Sequence, residues 1–418
     1  MTWGVDRLVE DVARLGARGL PREEYYAEVT ARLRRAVPSA AACWHTVDPQ
    51  TNLLTSDSPA ELISNGVLTP ESATAAGQGI IASEYFVGDL NTFASLARKR
   101  VPVGTLSQAT GGKLERSLRY RQVLKPAGIP HELRAAFVTR GRCWGAVHIA
   151  RLDGEPEFTG EHAFALASIT GLVAEGIRGS LRFDAGRRGD AEGASPGLIL
   201  LGPRNEVELI TAPARELLDL MSSGIRSAKS QTPPSGVLAL AEYTRRAPAG
   251  GGQEARTVAV PTGNGWITLH ASLPDGGTAG RVAIVVERSA SPASTAIRLE
   301  AHGVTPRERE VAGLLAAGLT NAEIADRLVL SPYTVQDHIK SLLEKTNVTS
   351  RQELVARIFL EDYLPRVAAG TPLDSAGQFT HSILISCERI HFIQQVIILD
   401  LIEEKRSHEA QIMISDRS

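Results

Sequence analysis

The decapeptide SPYTVQDHIK, Ser331 to Lys340, places an amide, a carboxylate and an ammonium within five residues of one another. Ser331 suits an N-cap and Pro332 the first helical position, so the pattern predicts a helix that starts there. Val335, Ile339 and Leu342 then fall at i, i+4 and i+7 as a buried stripe. Tyr333, Gln336, Asp337, Lys340 and Glu344 share the opposite side, which offers nothing apolar to a core. Such a face can donate and accept hydrogen bonds toward an outside partner.

A second set of residues could bind metal. Cys43 and His45, in CWH, and Cys143 and His148, in CWGAVH, supply two thiols and two imidazoles, enough for a tetrahedral soft-metal site. Strand alternation puts Cys43 and His45 on one face but sends Cys143 and His148, five apart, to opposite faces. Each Cys-Trp pair then reads as strand core, and the expectation is no metal. Enzyme motifs fail on inspection. ATGGKLERS lacks the Ser or Thr after Gly-Lys that a phosphate loop needs, and GNGWIT lacks the third glycine of a dinucleotide fingerprint. No Gly-x-Ser-x-Gly, His-Glu-x-x-His or Cys-x-x-Cys occurs, so no enzyme is expected.

The chain that positions these residues has 418 of them, 43% apolar and 22% charged, which suits two to four globular domains. Its net charge of -2 points globally to neither nucleic acid nor membrane, so any such affinity is local. Three scattered cysteines, Cys43, Cys143 and Cys387, suit a reducing compartment. The N-terminus has no continuous apolar run, and no window reaches the roughly 18 apolar residues of a spanning helix. A cytoplasmic location and no membrane contact are expected.

Two breaks divide the sequence: DAGRRGDAEGASPG, Asp184 to Gly197, and RSASPAS, Arg288 to Ser294. Before the first, Val5, Leu8, Val9, Val12 and Leu15 pattern a helix and AACWHTV a strand. Leu133 to Arg151 forms two strands around a turn at Thr139 to Arg142, and Leu166, Ile169, Leu172 or Val173, and Ile177 line one stripe of a long helix. The order is that of an α+β module, with helices against one antiparallel sheet. Between the breaks, GLILLG and EVELIT predict strands, PARELLDLM and GVLALAEYTRR helices, and TVAVPT, GWITLHASL and GRVAIVVER three more strands.

Beyond the second break, four helix starts follow between Thr305 and Arg357: Thr305-Pro306-Arg307-Glu308, Thr320-Asn321-Ala322-Glu323, Ser331, and Ser350-Arg351-Gln352-Glu353. The second and third helices are separated only by LVLS, the tight connection of a helix-turn-helix, whose second helix enters the DNA major groove. Over Val304 to Phe359, seven basic residues meet seven acidic ones, so electrostatic affinity of one copy for DNA is modest.

GRCWGAVHIAR and VPVGTLSQATGG resemble GAF-type sensory domains, and the strand and helix order of the middle range resembles a PAS-like fold. Thr305 to Phe359, with TPREREV, GLTN, EIA, SPYTVQDHIK and SRQEL, resembles the DNA-binding domain of LuxR-family transcriptional regulators. The implied architecture is multidomain. Residues 1–183 form a GAF-like module, 184–197 a linker, 198–290 a PAS-like module and 291–303 a connecting segment. An all-α four-helix LuxR-type helix-turn-helix spans 304–364, and 365–418 is a tail.

The LuxR resemblance makes Gln336, Asp337 and Lys340 the base-facing set, with Asn321, Ser331, Tyr333, Thr334, His338 and Lys345 near phosphates. Gln suits adenine, Lys suits guanine, and Asp can accept from the cytosine amino group. It also implies a homodimer joined through the last helix, where Leu354, Val355 and Ile358 are expected to offer an apolar surface. Two half-sites roughly 10 bp apart would then be read. PAS-like folds can hold haem or flavin, but no residue pattern specifies either, so no cofactor is expected and the small-molecule signal is unknown. The expected function is a bacterial regulator that couples a sensed signal to sequence-specific DNA binding. The alternative is an adaptor whose helical bundle contacts RNA polymerase or another regulator. The stretch from His381 to Ser418 has nine Ile and neither Gly nor Pro, unlike the chain before it, and reads as an extension beyond the family's usual end.

Overall fold

The computed structural model describes residues 2–85, 88–186, 196–221, 233–246, 256–262, 265–274, 280–288, 297, 299–316 and 318–358. Most of the expected linker and the whole of 365–418 lie outside the described residues.

The chain opens with two helices, α1 (Thr2–Gly16) and α2 (Arg22–Ala36), followed by strands β1 (Ala41–Val47) and β2 (Leu54–Ser58). Three helices come next: α3 (Ala60–Ser64), α4 (Pro70–Tyr85) and α5 (Phe93–Ala97). β3 (Val103–Thr105), α6 (Leu106–Thr110), β4 (His131–Thr139), β5 (Arg142–Arg151) and the long α7 (Gly160–Gly186) complete this part. Its five strands form one antiparallel sheet in the order β2-β1-β5-β4-β3. The hairpin between β4 and β5 turns at Arg140 and Gly141, both at positive φ (50° and 73°), the geometry a two-residue turn needs to match strand twist.

The expected helical stripes are the ones buried. Leu8, Val12 and Leu15 of α1 and Leu166, Ile169, Val173 and Ile177 of α7 pack on one face of this sheet against Ala42, Trp44, Phe137, Trp144 and Val147. The other face is unusual for a sheet interior, because it carries charge. Arg119 bonds Glu132 at 2.8 Å, Arg134 bonds Glu84 at 2.6 Å, and Asp89 lies 3.4 Å from Arg119, all with side chains no more than 3% exposed.

The alternation that sent Cys143 and His148 to opposite faces is corrected by a bulge. Phe137 pairs with Gly145 and Val138 with Cys143, so β5 carries one extra residue, Trp144, at that step. Trp144 joins the helix-covered core while Cys143 packs with Ala136 and Ala146 on the other side. Cys143 and His148 therefore share a face.

The middle part holds β6 (Gly197–Leu201), β7 (Val207–Ile210), α8 (Ala212–Met221), α9 (Ser235–Arg245), β8 (Arg256–Thr262), β9 (Gly265–Ser272) and β10 (Val282–Arg288). Its sheet order is β7-β6-β10-β9-β8, the order of the first sheet repeated. The two parts are not separated by solvent. From Val237 to Ala241 every residue of α9 is buried, which a helix requires when it is enclosed on all sides. One side of it packs on the second sheet and the other on residues of β2 and α4. Arg22 of α2 also donates to the Pro261 carbonyl at 3.0 Å.

A short connection leads to the last part. Ala301 is buried in the core of the first module, whereas Leu299 and Val304 pack into the C-terminal core. Arg178 of α7 donates to the Ala301 carbonyl at 2.8 Å, and Arg142 of β5 pairs with Glu300 at 2.7 Å. The remaining elements are α10 (Pro306–Ala316), α11 (Asn321–Leu328), α12 (Pro332–Thr346) and α13 (Arg351–Ile358), packed around a core of their own. No helix among the described residues is long and apolar enough to cross a membrane.

At Gly236 the backbone of α9 runs close against the first module. A Cβ there would lie 2.4 Å from the Thr55 carbonyl oxygen, which is backbone and cannot swing aside. Gly236→Ala is expected to lower the stability of the joined modules by about 1–3 kcal/mol in urea denaturation followed by tryptophan fluorescence. An unchanged midpoint would show that the modules do not meet this way.

Candidate nucleic-acid interface

The bundle is built from caps inward. Thr320 and Glu323 form a reciprocal capping box at the start of α11, and burial of Ile324 and Ala325 fixes which side of that short helix faces inward. Ala325, 2% exposed, lets α12 cross closely. α11 ends at Val329, whose φ of 54° places a β-branched residue in left-handed backbone. Its side chain stands 90% exposed between the two helices. The amide of Leu330 returns to the Ala325 carbonyl at 2.9 Å, closing the turn. Nothing in LVLS signals this conformation, since neither Gly nor Asn is present.

α12 starts as expected. The Ser331 Oγ accepts from the Thr334 amide at 3.1 Å, Pro332 follows at the first helical position, and Asn347 caps the far end at φ 56°. Val335, Ile339 and Leu342 are buried. On the opposite side Gln336, Asp337 and Lys340 are exposed, and no hydrogen bond or ion pair to another described residue occupies them. Tyr333 projects at 83% exposure beside them. Ser331 is exposed, Thr334 and His338 are half-buried, and all three stay on the N-terminal half of α12.

Two residues expected at phosphates have internal partners. The Lys345 ammonium lies 2.6 and 2.7 Å from the two carboxylate oxygens of Glu308, 37 residues earlier on α10. The Oδ1 of Asn321 accepts from Arg351 at 2.9 Å, while the same guanidinium reaches the Leu319 carbonyl. Arg307 similarly donates to the Leu328 carbonyl at the end of α11. These cations hold the bundle together, so the cationic part of the exposed face rests on Lys340.

The expected apolar surface of the last helix is corrected in one position. Leu354 is 1% exposed and belongs to the core of its own bundle, because α13 docks on α10 and α12 through that side chain. Val355 is half-buried against the same core, and the side chain of Ile358 lies outside the described residues.

Glu308 is the residue that pattern reading undervalued. Its capping role at Thr305 was visible in the Thr-x-x-Glu spacing, but it also accepts from Ser341 Oγ at 2.7 Å, and with Lys345 this ties α10 to the distal half of α12. Burial alone would raise its pKa. The Lys345 ammonium and the Thr305 and Ser341 donors outweigh that and hold the carboxyl down at about 2.

Residues 302–358 match the family described as "Bacterial regulatory proteins, luxR family". The chain is 50% identical over 56 residues to the transcriptional regulatory protein UhpA of Salmonella typhimurium, covering 13% of this chain and 29% of that one. It is 43% identical over 51 residues to the DNA-binding transcriptional activator DevR/DosR of Mycobacterium tuberculosis, covering 12% and 24%. A putative HTH-type transcriptional regulator of Mycobacterium bovis is 46% identical over 52 residues, 12% of this chain and 6% of that one. The match thus spans under a third of each relative's length.

Since the folded pKa of Glu308 lies below its unfolded value of 4.5, its contribution to stability is complete above that pH and fades as pH falls toward about 2. Glu308→Gln is expected to lower the opening free energy of α10 and α12 amides by about 2 kcal/mol at neutral pH, read by hydrogen exchange. The difference from the parent should shrink below pH 4; a difference that stays constant to pH 2.5 would contradict the clamp.

Proposed function

We propose, starting from a C-terminal domain of the luxR family, that this chain is a bacterial transcription regulator. It would place α12 in the major groove of DNA under the control of its two sheet-bearing modules. The observation that carries the reading is the face of α12 itself: Gln336, Asp337 and Lys340 are exposed and have no partner among the described residues, while the stripe behind them is buried. Lys340 would donate to guanine, Gln336 would pair with adenine, and Asp337 would accept from a cytosine amino group. Ser331, Tyr333, Thr334 and His338 would lie along the phosphates. Asn321 and Lys345, already engaged within the bundle, would contribute chiefly by holding it in shape.

The first module is read as GAF-like and the second as PAS-like. Two antiparallel sheets of one strand order, each with helices against it, support a shared sensory architecture. The chain would act without catalysis, as a homodimer on two half-sites, because the described residues of the bundle offer few unengaged cations and pairing doubles its phosphate contacts. With Leu354 buried, pairing must use a surface other than that side chain. A signal at the modules would shift the population of heads able to pair.

The discriminating experiment is a gel shift with duplexes selected by the purified chain. Lys340→Ala should weaken specific binding roughly 5- to 150-fold, the equivalent of about 1–3 kcal/mol, with little change on unrelated duplexes. Asp337→Asn should strengthen binding to all duplexes and lessen selectivity, since it removes repulsion from phosphate. Equal, weak binding of parent and both variants would instead favour a bundle that contacts RNA polymerase or another protein.

A further inference from the structure

We propose that the first module holds a zinc-class divalent cation between Cys43, His45 and His148. Register brings the three together: Cys43 of β1 pairs directly with His148 of β5, and His45 lies two residues along β1 on the same face. Their ligand atoms all lie within 4.8 Å of one another, and the residues are 3%, 3% and 5% exposed. Zinc–sulfur and zinc–nitrogen bonds of roughly 2.3 and 2.1 Å set tetrahedral ligand atoms about 3.5 Å apart, so a pair at the 4.8 Å limit must close by roughly 1.3 Å. A cavity of about 40 Å³ opens beside all three residues and gives their side chains room to turn.

An independent observation points to a missing ligand. Both ring nitrogens of His45 and Nδ1 of His148 are buried with no hydrogen-bond partner among the described residues. Buried polar atoms are normally hydrogen-bonded, and three such atoms lie together here without a partner among the described residues. A cation that binds one nitrogen of each ring would satisfy two of the three. Around the ligands the electrostatics are mixed: the Arg134 guanidinium disfavours positive charge at His45 and His148, whereas the Glu132 carboxylate favours it at His148. Arg134, opposite His148 in register, belongs to the buried network of Arg119, Glu84, Glu132 and Asp89. Its two guanidinium charges against three carboxylates leave one negative charge, and the cation with its thiolate would supply one positive charge in return.

One thiolate and two imidazoles leave a fourth position open, as in sites that exchange a water for another ligand. The cavity beside it is lined on one side by Ser235, the first residue of α9, so an occupant there would touch both sheet-bearing modules. Cys143 takes no part, since its thiol donates to the Gly145 carbonyl at 3.4 Å.

The test uses the full chain, stripped with chelator and titrated with Co²⁺. The expected result is one equivalent bound, with intense tetrahedral d–d bands and a near-ultraviolet thiolate-to-cobalt band, both displaced by Zn²⁺. Cys43→Ala should abolish the thiolate band, and His148→Ala should weaken binding at least tenfold. The double variant Cys143→Ser, Cys387→Ser should bind like the parent, and this keeps the test decisive even if Cys43→Ala fails to fold. No uptake by the folded parent, or a thiolate band lost in the double variant, would overturn the proposal.

Discussion

The ion pair between Glu308 and Lys345 is the constraint around which the C-terminal bundle is organised. Helices of eight to fifteen residues are marginal alone, and each must be held by its neighbours. Glu308 caps the first turn of α10 and grips the far half of α12 with the same carboxylate. Arg307 and Arg351 do the equivalent at the ends of α11 and α13. With α12 gripped from behind, its opposite face can remain polar without being drawn into a core. A helix with so polar a side is stable here only because its other side is fully engaged.

Continuity between the modules and the bundle follows from a few residues around Ala301. That residue is buried with α7 and the first sheet, and its neighbours Leu299 and Val304 are packed with α10 to α13. Arg178 binds the Ala301 carbonyl from α7, and Arg142 binds Glu300 from β5. A movement of α7 against its sheet would therefore act on backbone that leads directly into α10. The enclosure of α9 between the two sheet-bearing modules gives the middle module a second contact with the same sheet. Physical contiguity of this kind is necessary for coupling, and measurement of coupling energies is what would quantify it.

Local patterns were the most legible part of the sequence. The stripe Val335, Ile339 and Leu342, the capping residues Ser331 and Thr320, and the strand AACWHTV all appear where periodicity and side-chain chemistry placed them. Pairings distant in sequence were not legible. The Thr-x-x-Glu spacing shows a cap, but it cannot show that the same Glu308 meets a lysine 37 residues later. Leu354 looked like spare apolar surface because one helix pattern does not reveal how many neighbours it must satisfy. The opposed faces assigned to Cys143 and His148 failed because a single extra residue at Trp144 reverses strand parity, and alternation has no means of detecting a bulge.

The central claim is that the exposed face of α12 reads bases. It is tested most directly by letting the purified full chain select from a pool of random duplexes and sequencing what is retained. The account predicts enrichment of paired half-sites roughly 10 bp apart, an enrichment that Gln336→Ala erases at defined positions. Retention of the pool without any enriched sequence, by a chain shown to be folded and paired, would contradict it.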